Sequence, residues 1–318
     1  MFLVIGTTTA DLFITGFERL PRTEGDEFTV DSLAFCDHPL RTALGGNGAI
    51  SAYALARLGA PVILSTAVGN DWLGDLLTRW LHGAGVHMAH VARRTDAATA
   101  STVMVSDDRR NRLSFHHPGA NETLVEAEIP IHLIGPSDAL LLTSYPLLNR
   151  LRPQGSQSLM KSARHVGAIT ALDLGPAIGQ PALLSELRPL LPYIDYLFCN
   201  EHELSVCTEI ANFEEGMARV IEMGAVCVIL KRGAQGAVVW PSEGEPIHVP
   251  GFAVDAKSTV GAGDSFNAGF LYALRQDPDP IAAARFANAV ASLLVSADQG
   301  ALGAPKLAKV IELLKEAQ

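Results

Sequence analysis

Cysteine is scarce in this 318-residue chain, and the four present, Cys36, Cys199, Cys207 and Cys227, form no C-x-x-C pair. Neither a disulfide framework nor a cysteine zinc site is expected, and a reducing cytoplasm fits this usage. Basic runs are missing too. With 24 Lys and Arg against 34 Asp and Glu the net charge is −10, which argues against a general nucleic-acid or anionic-membrane surface. An anionic ligand therefore needs a local positive field. The most apolar late segment, Ile281 to Ala297, is broken by Arg285 and Asn288. Met1 to Gly6 reads as a strand without a basic leader region, so neither export nor a membrane span is expected.

Several catalytic signatures are also absent. There is no G-x-x-x-x-G-K-[ST], which leaves a P-loop NTPase without support, and Gly261-x-Gly263 is followed by Phe266 where a dinucleotide fingerprint takes Gly or Ala. The ten histidines, His116-His117 included, contain no H-E-x-x-H, and no G-x-S-x-G elbow occurs. Pro/Ser linkers, low-complexity stretches and internal repeats are lacking, so residues 1–318 read as one domain.

What the chain does have is a glycine-rich stretch, Ser258-Thr259-Val260-Gly261-Ala262-Gly263-Asp264-Ser265-Phe266, followed by Phe266, Phe270, Ala273 and Leu274 at helical spacing. A loop that opens a helix in this way presents unpaired N–H groups and the positive end of the helix dipole, a seat for phosphate. Asp264 stands at that mouth. The dipole is expected to hold its carboxylate ionised, ready to take a proton from a substrate hydroxyl beside the anion seat. A second glycine-rich stretch, Leu44-Gly45-Gly46-Asn47-Gly48-Ala49, opens a helix carrying Ala52, Leu55 and Leu58 and closed by Gly59. Its double glycine lets backbone approach a ligand.

Apolar strands at Ala139 to Leu142, Ile169 to Leu174, Tyr196 to Cys199, Val226 to Leu230 and Ala237 to Trp240 alternate with amphipathic stretches. With the strand at Phe2 to Gly6 they predict an α/β fold with a mostly parallel, doubly wound sheet in three α/β/α layers. Asp11 falls just past the first strand, as a ligand-binding carboxylate or a plain turn residue. Segments 13–43 and 99–117 lack helical periodicity; with Thr99 to Ser106 and Arg112 to His117 flanking the charged turn 107–111, they predict a small inserted β-sheet that serves as a lid.

The stretch Thr259 to Phe266 resembles the C-terminal signature of the ribokinase-like (PfkB) carbohydrate kinases, D-T-[TV]-G-A-G-D-x-F, and Gly45, Gly46, Ala49, Ala52, Leu55, Ala56, Leu58 and Gly59 fit that family's N-terminal signature. Val68-Gly69-Asn70-Asp71 and Gly119-Ala120-Asn121 follow in the family's order. The resemblance implies a ribokinase-like fold whose β-lid makes a homodimer. It also implies transfer of the γ-phosphoryl group of ATP to a small carbohydrate of ribose, fructose or keto-deoxy sugar type.

On this resemblance Asp264 is the catalytic base, and the Gly261, Ala262 and Gly263 amides hold the transferring phosphoryl. Asn200 and Glu203 (N-x-x-E) organise Mg²⁺ through water. Asn200, Lys231, Gly233, Gly236 and Asn288 line the ATP side, with Lys231 and Arg232 supplying the local positive charge, and Gly300-Ala301 matches a position near the adenine. Asp11, Gly45, Gly46, Asn47 and Arg112 line the sugar side. A nucleoside kinase of the same family and a catalytically silent sugar sensor remain as alternatives, and Arg109, Arg110 and Arg112 admit a phosphorylated sugar. Two positions depart from the family: Ile50 replaces a sugar-binding Asn, and Ser258, preceded by Lys257, replaces an Asp that helps bind a monovalent cation. That cation site is expected to be weak or missing, with Lys257 a candidate built-in substitute.

Overall fold

The first strand, β1 (Phe2–Ile5), is apolar at every position and buried on both sides. Period-two alternation sends Phe2 and Val4 into one apolar cluster and Leu3 and Ile5 into another, so the strand belongs in the middle layer of three. The structure, a computed structural model, describes residues 1–17, 36–109, 111–177, 179–297 and 299–317. Of the sequence-based expectations, residues 18–35 of the lid, Arg110 and the side chain of Arg112 lie outside the described residues.

After β1 the chain forms β2 (Thr9–Phe17), β3 (Arg41–Gly45), α1 (Asn47–Arg57), β4 (Val62–Gly69), α2 (Trp72–Ala84), β5 (Val91–Arg94), β6 (Ala100–Asp107) and β7 (Arg112–His117). Next come β8 (Ala139–Leu142), α3 (Gln154–His165), β9 (Ile169–Asp173), α4 (Leu184–Leu187), β10 (Tyr196–Asn200), α5 (Glu201–Thr208), α6 (Phe213–Glu222) and β11 (Cys227–Lys231). The chain closes with β12 (Ala237–Pro241), β13 (Ile247–Val249), α7 (Ala262–Leu274), α8 (Pro280–Ser296) and α9 (Leu307–Glu316). Nine strands make one sheet in the order β13-β12-β11-β10-β9-β8-β1-β4-β5. It is parallel from β5 to β11, and β12 and β13 add antiparallel at one edge. One face packs α1, α2, α7 and α8, where Phe198 of β10 meets Phe266 and Phe270 of α7 edge-on. The other face packs α3, α5 and α6.

Among the described residues a separate sheet of four strands, β3-β2-β6-β7, forms from the two segments expected to make a lid. The expected boundary shifts: the first strand ends at Ile5, and β2 begins at Thr9, so Asp11 lies inside a strand of the small sheet instead of in a turn after β1. The reason is pairing. Asp11 sits between Ala43 of β3 and Thr102 of β6, and both neighbours extend the backbone ladder through it. Asp11, Thr102 and His116 share one face of this sheet, while Leu12, Val103 and Phe115 share the other. No helix among the described residues is long and apolar enough to cross a membrane.

Asp71 joins the two sheets. Its carboxylate caps α2 by accepting from Gly74 N–H at 2.8 Å, and it accepts from the N–H and the hydroxyl of Thr99, each at 2.7 Å, just before β6 enters the small sheet. Burial alone would raise the Asp71 carboxyl, but the hydrogen bonds from Gly74 and Thr99 outweigh it and the net shift is downward. Replacing Asp71 with Ala should cost about 2 kcal/mol of stability at neutral pH. The folded-state pKa is depressed, so this contribution is full above the unfolded carboxylate range and lost as pH falls through the folded value. Urea unfolding of wild type and Asp71→Ala should therefore converge in acid; a gap that stays constant would contradict this role.

Candidate active site

Five strands adjacent in the sheet, β1, β8, β9, β10 and β11, end in or just before Thr7, Ser144, Asp173, Asn200 and Lys231. Polar groups are thereby gathered along the carboxyl edge of a mostly apolar sheet, the edge at which open α/β sheets bind ligands. The N-terminus of α7 comes down on this row. Gly261 caps it with φ 80°, a left-handed conformation that glycine adopts without strain, and a Cβ there would lie 3.0 Å from Cγ2 of Ile50. Ala262, Gly263 and Asp264 form the first turn, whose N–H groups have no acceptor within the helix. The Ala262 N–H folds back on Thr259 O at 3.3 Å.

Asp264 is 7% exposed, and Asn47 Nδ2 donates to its Oδ1 at 2.8 Å. Burial pushes its carboxyl up to about 7, Asp173 adds to the rise, and Asn47 and Lys231 oppose it. This corrects the expectation that the helix dipole holds Asp264 ionised: desolvation and a second carboxylate outweigh the favourable terms. That second carboxylate went unnoticed in the sequence. Asp173 is held by Lys231 Nζ at 2.5 Å, by Asn267 Nδ2 and by Gly175 N–H at 2.8 Å. Lys231 also donates to Asn267 Oδ1 at 3.4 Å.

A Cβ on Gly263 would lie 3.4 Å from Lys231 Nζ, so the ammonium rests against the glycine turn. Burial works to lower the pKa of Lys231, but Asp173 and Glu203 outweigh it and hold the lysine charged. The cation beneath the loop thus comes from β11, and Lys257, the substitute considered from sequence, has an exposed side chain. Asn200 and Glu203 cap α5 reciprocally: Glu203 N–H donates to Asn200 Oδ1 and Asn200 N–H to Glu203 Oε2, each at 2.8 Å. Burial pushes the Glu203 carboxyl up to about 7, with Lys231 opposing and Asp173 adding.

Asp11 is 8% exposed, and burial pushes its carboxyl up to about 6 against a hydrogen bond from Thr102. A Cβ on Gly45 would fall on this carboxylate, and one on Gly46, at φ 86°, would fall 2.5 Å from Thr7 O. The double glycine therefore makes room for the chain's own Asp11 and Thr7. Asn47, read from sequence as a substrate ligand, spends one amide hydrogen on Asp264 and accepts from Ser144 Oγ at 3.0 Å. Gly233 (φ 56°) and Gly236 (φ 90°) shape the turn between β11 and β12. Asn288 donates at 3.1 Å to the carbonyls of both Val249 and Pro250, which pins α8 to the segment after β13. Sequence reasoning missed Asp173, Asn267, Ser144 and Thr7. A usable signal existed: Asp173 ends a mostly apolar strand, as Asn200 and Lys231 do.

The profile of the pfkB family carbohydrate kinases matches residues 28–307. An ATP-dependent ribose-1-phosphate kinase of Halopiger xanaduensis is 31% identical over 299 residues, covering 94% of this chain and 93% of its own length. A nucleoside kinase of Methanothermobacter thermautotrophicus is 28% identical, covering 86% of this chain and 85% of its own length. The structure of Arabidopsis thaliana ribokinase complexed with ribose and ATP superposes with a TM-score of 0.81 at 28% identity, covering 99% of this chain and 98% of that one. With its two glycine-rich helix starts, its small second sheet and a family match across most of its length, the chain belongs to the pfkB family of carbohydrate kinases.

Proposed function

We propose that this enzyme transfers the γ-phosphoryl group of ATP to a hydroxyl of a small carbohydrate, free or already phosphorylated, with Asp264 as general base. The observation that carries the reading is a buried carboxylate in the first turn of α7, beside N–H groups with no acceptor within the helix and a lysine ammonium. In the reaction the acceptor O–H gives its proton to Asp264, the acceptor oxygen bonds to the γ-phosphorus, and the bond from that phosphorus to the bridging oxygen breaks to release ADP. Phosphoryl transfer asks the protein for positioning and charge neutralisation. Gly261, Ala262 and Gly263 meet the phosphoryl oxygens, the Ala262 N–H by giving up its long contact to Thr259, while Lys231 lends positive potential from beneath.

Asn200, Lys231, Gly233, Gly236 and Asn288 frame the ATP side. Asp11, Gly45, Gly46, the second amide hydrogen of Asn47 and Arg112 frame the acceptor side, with the small sheet as a lid on a single domain. Asn200 Oδ1 and Glu203 Oε2 are engaged in the α5 cap, and among the described residues no three acidic, His or Cys groups converge closely enough to hold a metal ion. This donor set fits a Mg²⁺ held through its own waters, which supplies neutralising charge at the phosphates when bound. With Ser258 in place of the family's Asp and Lys231 under the loop, activity is proposed to be independent of K⁺. A nucleoside as acceptor is the second reading, favoured by the nucleoside kinase match. A panel of sugars, sugar phosphates and nucleosides assayed for ADP release with Mg-ATP separates these acceptors.

Asp264→Asn should keep the fold and ATP binding and lower kcat by at least ~10²-fold. Near wild-type turnover would remove the base. Because the base must be ionised and its pKa is pushed up to about 7, log kcat/KM should climb through an acidic limb near neutrality and level off above it. A profile flat from about pH 5.5 to about 8.5, roughly one and a half pH units either side of 7, would contradict the assignment.

The face of the small sheet opposite Asp11 carries Leu12, Ile14, Val103, Val105, Leu113 and Phe115, with Leu113 49% and Phe115 57% exposed on the edge strand β7. A homodimer through this face would cover it. Light scattering should report a dimer, and Phe115→Lys a monomer; a wild-type monomer at high concentration would sink the proposal.

A further inference from the structure

Asp264 receives a hydrogen bond from a side chain 217 positions away: Asn47 Nδ2 lies 2.8 Å from Asp264 Oδ1. Asn47 is held in turn. Its Oδ1 lies 3.0 Å from Ser144 Oγ, which lies 2.8 Å from Thr7 Oγ1 and 3.3 Å from Thr7 N. Each bond has one allowed direction. An ionised carboxylate only accepts, so Asn47 turns its NH₂ to Asp264 and its carbonyl oxygen to Ser144; Ser144 then gives its proton to Asn47, and Thr7 donates to Ser144. Thr7 is 2% and Ser144 0% exposed, so water does not compete for the Ser144–Thr7 end that orients Asn47. A second observation marks the same place. Ser144 has φ 59°, a left-handed backbone that a non-glycine residue holds only when its surroundings impose it, and such strain collects at functional positions.

We propose that Asn47, oriented by Ser144 and Thr7, is a positioning residue for Asp264: it pins one carboxylate oxygen so that the other is aimed at the acceptor hydroxyl. The proposal rests on Asp264 being the base. A pinned carboxylate has lost the rotation that would otherwise spread its basic oxygen over many directions. The donated hydrogen bond also favours the ionised form, against burial. Three further charged groups face Asp264 from neighbouring elements: Asp173 of β9 and Glu203 of α5 favour protonation, and Lys231 of β11 opposes it. Thr7 lies in the short link by which β1 of the large sheet passes into β2 of the small one, so the chain ties that link to the base.

The test compares Asn47→Ala, Asn47→Asp, Ser144→Ala and Asp264→Asn as purified full-length enzymes, with Mg-ATP and the best acceptor from the panel, and thermal unfolding as the folding control. Asn47→Ala should lower kcat about tenfold. Its KM for ATP should stay within about twofold, and its acidic limb should move to higher pH by about one pH unit. Asn47→Asp fills the same volume but turns a carboxylate toward Asp264, so it should be worse than Asn47→Ala and move the limb further. If Asn47 only filled space, the isosteric Asp would instead restore activity. Should either Asn47 variant fail to fold, Ser144→Ala decides, with a smaller shift in the same direction. An unchanged kcat and acidic limb in Asn47→Ala, or in Ser144→Ala where that variant decides, overturns the proposal, as does Asn47→Asp outperforming Asn47→Ala at neutral pH. If Asp264→Asn keeps its turnover the base itself is wrong; if Asp264→Asn is dead and Asn47→Ala is normal, only the positioning role falls.

Discussion

The ion pair between Lys231 and Asp173 is the contact on which the rest of the site hangs. Its side chains are 13% and 3% exposed, and it ties together the ends of β11 and β9 while Asn267 brings in α7. Taking two charges out of water is costly, and such a pair survives only when hydrogen bonds satisfy what remains of each group. Here Gly175 and Asn267 do so on the Asp173 side. Losing either partner would strand a buried charge at the floor of the site, whereas the intact pair keeps the lysine ammonium directly under the Gly263 turn.

Around that pair the charges follow one rule. Asp264 and Glu203 are both pushed up to about 7 by burial first, and both feel Asp173 and Lys231. One ammonium faces three carboxylates in a poorly hydrated pocket, so any event that adds positive charge or moves a proton at one member is felt by the others. Asp11, on the small sheet, is pushed up to about 6 by burial against the Thr102 hydrogen bond, and none of these charged groups contributes to its shift.

Much of this was readable in the sequence because glycine requirements are local. Gly45-Gly46 and Gly261-Ala262-Gly263 mark helix starts whatever lies elsewhere in the chain, and the alternation of apolar strands with amphipathic stretches gave the layered sheet. Contacts between distant segments were not readable. Nothing near Asn47 announces Asp264, and nothing near Asp173 announces Lys231; these meetings are products of strand order. Asp11 was placed one element too early because a three-residue link, Gly6 to Thr8, carries no turn signature, and only the ladders to β3 and β6 reveal a strand. Adjacency makes Lys257 a candidate cation for the loop, but its side chain is exposed and a lysine from β11 lies against the glycine turn.

The face of the large sheet that carries Phe198 and Ile229 is covered by α7 and α8, whose residues come from the last fifth of the chain. On the ribosome, the strands from β1 to β11 are therefore finished while the part of this face around Phe198 and Ile229 is still bare, and neither α7 nor α8 has left the exit tunnel. Domains of this size expose sticky surface at such stages and attract aggregation or chaperones. Covering that part of the face and completing the catalytic turn are linked, since α7 takes part in both. A chain that stops before α7 lacks part of that lining and the base together, so such a termination leaves apolar sheet uncovered and removes the catalytic carboxylate at once.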